Sequence, residues 1–133
     1  MTKILVVDKD KDVCDFIVRF FKERNFEVFN VTNGNDALRV IKKGRPHIVL
    51  TELEMKDIGG IEILEHIKNT RQDIKVIIVS SVNDIKIMNE AKGLGAVAYL
   101  TKPISLSELM DVISQNLGRR RRFFELNRVS KNV

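Results

Sequence analysis

Five short apolar runs, each separated from the next by a segment of helical period, leave this chain few folds to choose from. The runs are Ile4-Leu5-Val6-Val7, Val28-Phe29-Asn30-Val31, Ile48-Val49-Leu50, Val76-Ile77-Ile78-Val79 and Val97-Ala98-Tyr99-Leu100. The first, third and fourth are β-branched and nearly unbroken, as strands covered on both faces must be, and the second and fifth are more mixed, as suits sheet edges. Between them, Val13, Ile17 and Phe20 recur at helical spacing, with Phe16 and Phe21 widening the stripe. Asn33 or Asn35 is placed to cap a helix carrying Ala37, Leu38 and Ile41, which Gly44 and Pro46 stop. Ile61, Leu64 and Ile67 follow Gly59-Gly60, and Ile85, Met88 and Ala91 follow Asp84. Ser105 with Glu108 three residues on makes a capping-box pattern ahead of Leu106, Leu109, Ile113 and Leu117. This βαβαβαβαβα alternation predicts an α/β fold, a doubly wound parallel sheet with right-handed crossovers and helices on both faces.

In such a sheet, ligands bind at the carboxyl ends of the strands, near the point where the strand order reverses. Those ends carry Asp8-Lys9-Asp10, Glu52, Ser80-Ser81 and Lys102-Pro103. Carboxylates, a hydroxyl and a lysine converging on one mouth could hold a hard cation and a phosphoryl group. No glycine-rich phosphate loop or dinucleotide fingerprint is present, which argues against a nucleotide-binding site.

Composition narrows the function further. The 133 residues carry 23 basic and 18 acidic side chains, a net charge of +5. From Arg119 onward six basic residues meet one acidic residue, so the whole excess lies in the tail and the body holds 17 of each sign. A neutral body gives nucleic-acid binding by the domain itself little support. Cys14 is the single cysteine and sits beside the first helical stripe as a small core hydrophobe; it can form no internal disulfide. His47 and His66 have no partner at ligand spacing and read as packing residues. No apolar run approaches the roughly 18 residues of a membrane span, and the N-terminus lacks a secretory pattern, so a cytoplasmic protein is expected.

The strand-end motifs carry a resemblance. Ile4-Leu5-Val6-Val7-Asp8, the run from Pro46 to Met55, Gly59-Gly60, Val76 to Ser81 and, most specifically, Gly95-Ala96-Val97-Ala98-Tyr99-Leu100-Thr101-Lys102-Pro103 resemble the receiver domain of bacterial two-component response regulators, such as the single-domain chemotaxis regulator. The resemblance spans about residues 2–117. It implies a flavodoxin-like five-stranded sheet in the order 2-1-3-4-5 with five helices, a receiver domain over 1–118, and a basic extension over 119–133 that continues the last helix or serves as a linker or tail. It also implies roles: Asp8 as a metal-binding acid, with Asp10 beside it in an acidic pocket; Ser80 as the hydroxyl and Lys102 as the lysine that hold phosphoryl oxygens; Tyr99 as an aromatic switch; and Glu54 lending its backbone carbonyl to magnesium. Typical receivers take a phosphoryl group from a histidine kinase or a small acyl phosphate onto an aspartate at the end of the third strand.

Two departures fall on that chemistry. Glu52 stands at the phosphoacceptor position, and Lys9 replaces the second metal-binding acid; Lys56, where proline is usual, is a milder third. Glutamate reaches one methylene further, into the space the phosphoryl oxygens would occupy, and errors of about 1 Å can cost on the order of 100-fold in rate. Lys9 opposes a divalent cation by its charge. The expectation is a pseudo-receiver that is not an enzyme, its Glu52 and Asp8 neutralised by Lys9 and Lys102, with no cofactor, or magnesium only if the site works despite Lys9. It would act on a histidine kinase or a downstream signalling protein through the face made by the fourth helix, fifth strand and fifth helix. Glu52 would also supply part of a phosphoryl group's charge and bias Tyr99 inward. Two alternatives stay open: a conventional magnesium-dependent receiver using Glu52 or the neighbouring Asp57, and the receiver piece of a larger regulator.

Overall fold

The computed structural model describes residues 1–71 and 73–117; the basic segment at 119–133 and any continuation of the last helix into it lie outside them. Five strands, β1 (Lys3–Val7), β2 (Glu27–Val31), β3 (Ile48–Thr51), β4 (Lys75–Ser80) and β5 (Ala98–Thr101), alternate with five helices, α1 (Lys11–Lys22), α2 (Gly34–Gly44), α3 (Gly60–Thr70), α4 (Ile85–Gly93) and α5 (Leu106–Gln115). The sheet is parallel throughout, in the order β2-β1-β3-β4-β5. The sequence pattern anticipated both the alternation and the edge positions of β2 and β5.

Alternate side chains of a strand point to opposite faces. Ile4, Val6, Ile48, Leu50, Ile77 and Val79 therefore pack against Cys14, Ile17 and Phe21 of α1 and Leu109, Met110 and Ile113 of α5. Leu5, Val7, Val49, Val76 and Ile78 face the other way, onto Ala37 and Ile41 of α2, Ile63, Leu64 and Ile67 of α3, and Ala91 of α4. Phe16 departs from the expected stripe and is 55% exposed. At 100° per residue it lies about 100° from Ile17, whereas Phe21, four residues on, returns almost to the same face.

The helix starts follow from local chemistry. Asn33 is the cap of α2, accepting from Asp36 N at 2.8 Å. Asp84 accepts from Lys86 N at 2.8 Å, and Ser105 from Glu108 N at 3.2 Å. Each supplies an acceptor to an otherwise orphaned helix N–H.

Candidate functional site at the strand ends

The ladder continues one residue beyond the strands. Asp8 N bonds Val31 O at 3.2 Å, Glu52 N bonds Val7 O at 2.9 Å and Lys102 N bonds Ser80 O at 2.9 Å. Each site residue is thus fastened through its backbone to the neighbouring strand. Asp8 and Glu52 follow the adjacent strands β1 and β3, where the order of connection reverses. Gly60 packs directly against the Glu52 backbone, since a Cβ there would lie 2.8 Å from Glu52 O.

The side chains form a closed charge cluster. Lys102 Nζ lies 2.8 Å from Asp8 Oδ2 and 2.9 Å from Glu52 Oε1. Asp8 Oδ1 accepts from Asp10 N at 2.9 Å, and Glu52 Oε2 accepts from Leu53 N at 2.6 Å. Both carboxylates are buried, at 3% and 4% residue exposure. Burial alone would raise the Glu52 pKa, but hydrogen bonds from Lys102 and the Ser80 hydroxyl, the Lys102 charge and the Leu53 N–H outweigh it and lower the value. Burial would likewise lower Lys102, and its bonds to Asp8 and Glu52 raise it instead. The charged form of each group is therefore favoured. Cys14 lies against the same turn, its Sγ 3.3 Å from Asp8 O; burial, then the Asp8 charge, push its thiol up to about 11.

Next to this cluster, Ser80 Oγ accepts from Val82 N at 3.2 Å. Tyr99 is buried, and its hydroxyl donates to Val82 O at 2.7 Å, tying β5 to the segment that leads into α4. Burial raises the Tyr99 phenol above its ordinary value.

The other residues singled out in the sequence are placed differently. Asp10 is exposed and serves as the cap of α1, its Oδ1 accepting from Asp12 N at 2.9 Å and Val13 N at 3.4 Å. Lys9, expected to neutralise Glu52 and Asp8, is exposed and forms no salt bridge among the described residues; Lys102 alone bridges the two acids. The reason is steric order: Asp8 points into the mouth, and the next residue along an extended chain points away from it. Glu54 approaches through its N–H, 3.4 Å from Glu52 Oε2. Asp57 accepts from Gly34 N at 3.0 Å and Asn35 N at 2.9 Å, and these backbone bonds, that of Asn35 first, lower its carboxyl to about 2. His47 accepts from Lys3 N through Nδ1 at 2.9 Å, and His66 is half-buried on α3.

This donor set does not fit a divalent cation. Each carboxylate oxygen of Asp8 and Glu52 already accepts from a protein donor, Lys102, Asp10 N or Leu53 N, the Lys102 cation occupies the space between the two acids, and Asp10 caps α1. Among the described residues no group of three or more His, Cys, Asp or Glu side chains is arranged to hold a metal.

Similarity to known proteins agrees with the fold. Over 115 residues the chain is 31% identical to sporulation initiation phosphotransferase F of Bacillus subtilis, covering 86% of this chain and 93% of that protein. It is 29% identical over 115 residues to the DNA-binding transcriptional regulator NtrC of Azospirillum brasilense, covering 86% of this chain and 24% of that longer one. A two-component response regulator from Clostridium difficile superposes with a TM-score of 0.85 at 25% identity, covering 90% of this chain and 98% of that one. The response regulator receiver domain matches residues 4–114, and the chain belongs to that family of two-component signalling domains.

Proposed function

We propose that this receiver is a pseudo-receiver, which signals through protein contacts and does not turn over a phosphoryl group. One observation carries the reading: the Lys102 ammonium sits between Asp8 and Glu52 at 2.8 and 2.9 Å, as their shared counter-ion. A phosphoacceptor must turn a carboxylate oxygen toward the incoming phosphorus, and charge-assisted bonds from protein donors hold that oxygen back and draw charge from it. Here Glu52 Oε1 is held by Lys102 and Oε2 by Leu53 N. Lys9 adds positive charge on the neighbouring loop, where the family's second metal-binding acid stands, so the site operates without magnesium.

Signalling in this reading runs through α4, β5 and α5 toward a histidine kinase or a downstream protein. Ile85 on α4 is 67% exposed and Val97, just before β5, is 37% exposed, which gives that face apolar contact area. Tyr99 lies between this face and the Glu52 cluster, and its inward placement on Val82 O supports a bias toward the active-like arrangement.

The test is the intact mass of the protein after incubation with acetyl phosphate and magnesium. The expected result is no gain of one phosphate. A gain that Glu52→Gln abolishes would establish a conventional receiver that uses glutamate.

A further inference from the structure

Two of the three residues that depart from the receiver pattern, Lys9 and Lys56, play no part in the Glu52 cluster. They come from different loops, after β1 and after β3, yet they line one cavity of about 400 Å³ together with Thr32, Asn33 and Asp57. Lys9, Lys56 and Thr32 are exposed, and none of their side chains has a hydrogen-bond or ion-pair partner among the described residues. The cavity lining thus includes two lysines and a threonine whose side chains have donor capacity to spare.

The acids nearby are already answered. Both oxygens of Asp57, the one carboxylate in the lining, accept from the Gly34 and Asn35 amides at the start of α2. Asp10 is similarly placed on the start of α1. Asp8 and Glu52 share Lys102. The lining itself carries two positive charges against one negative charge, and that negative charge is offset further by a helix N-terminus.

The cavity is also braced. Asp57 ties the β3–α3 loop to α2, and at Gly34 an added Cβ would overlap the Ile58 carbonyl and lie 2.6 Å from Ile58 Cβ, so the two backbones meet without a gap. Lys56 is therefore carried on a loop held against the one that carries Thr32 and Asn33, which lowers the ordering needed to bind.

We propose that this cavity is an anion site, and that Lys9, Lys56 and Thr32 bind the tetrahedral phosphate dianion non-covalently beside the receiver mouth. The ligand is either free phosphate or the phosphate group of a small monoester. The site stands independently of whether Glu52 accepts a phosphoryl group, because inorganic phosphate is no phosphoryl donor.

The experiment is a titration of the full chain followed by backbone amide NMR, with inorganic phosphate and with glycerol phosphate in separate arms and sodium chloride at matched ionic strength as the control. Saturable shifts at Lys9, Thr32, Asn33 and Lys56 are expected with phosphate and not with chloride. Lys9→Met and Lys56→Met should each weaken binding about threefold to fivefold, the scale of an exposed charge pair, while Lys86→Met on α4 leaves it unchanged. Tighter binding of the ester names an organic phosphate as the ligand; equal or weaker binding names free phosphate. Shifts that never saturate, that chloride reproduces, or that survive both cavity variants in a folded protein would overturn the proposal.

Discussion

Replacing Lys102 with methionine isolates what the charge cluster does, because methionine keeps most of the stem and removes the ammonium. At 2.8 and 2.9 Å, each Lys102–carboxylate attraction is worth about 6 kcal/mol at an effective dielectric of 20, and desolvation cancels most of it. Deleting the cation leaves two buried carboxylates facing each other. Losing one partner of a buried pair costs about 3–5 kcal/mol; the Lys102 side chain is 22% exposed, so water reaches the gap and about 2–3 kcal/mol is expected at pH 7. With a urea dependence of about 1–3 kcal/mol/M, the midpoint should fall by about 1–2 M.

The pH dependence sharpens this test. In the parent protein the Glu52 pKa lies below its ordinary 4.5. Its stabilising contribution is therefore complete above that value and lost as pH falls through the lowered one. In Lys102→Met burial loses its main counterweight, with only the Ser80 hydroxyl and the Leu53 N–H still opposing it, and the Glu52 pKa rises, so acidification relieves the variant while it weakens the parent. The stability gap between the two should narrow as pH drops from 7 toward 3, measured by urea unfolding at each pH. A gap below about 1 kcal/mol at pH 7, or one that stays constant with pH, would place Lys102 among ordinary surface pairs and refute the reasoning.

Other perturbations test neighbouring parts. Gly34→Ala should destabilise by about 1–3 kcal/mol because its Cβ overlaps Ile58, whereas Gly93→Ala, with open space at its Cβ and a place at the end of α4, should be neutral or stabilise by up to about 1 kcal/mol in the same urea assay. Tyr99→Phe removes the bond to Val82 O and should cost about 0.5–1.5 kcal/mol, with amide shifts spreading from Val82 into α4. Asp57→Ala should speed hydrogen exchange at Gly34 and Asn35, whose amides it accepts, and the parent Asp57 carboxyl should titrate near 2 by NMR. Millimolar magnesium should shift few amides in the parent chain, and Lys9→Asp combined with Glu52→Asp should bring binding back, read by the same spectra.

The fold was legible in the chain because it rests on short-range regularities. Runs such as Ile4–Val7 and Val76–Val79, alternating with helical segments, fit strands covered on both faces in a parallel sheet, and Asn33, Asp84 and Ser105 announce the helices they cap within three residues. Asp8, Glu52, Ser80 and Lys102 were legible for the same reason: each lies at or just past a strand's carboxyl end, and parallel strands bring those ends together. Direction and partner were decided only in three dimensions. Lys9 and Asp10 are sequence neighbours of Asp8, yet one lines a separate cavity and the other caps α1, because consecutive residues of an extended segment face opposite ways and a helix N-terminus competes for any nearby carboxylate. Asp57 caps a helix that begins 23 residues before it, and Lys9 and Lys56 share a cavity across 47 positions. No local pattern encodes such meetings; they follow from the crossovers that lay the loops after β1, β2 and β3 side by side.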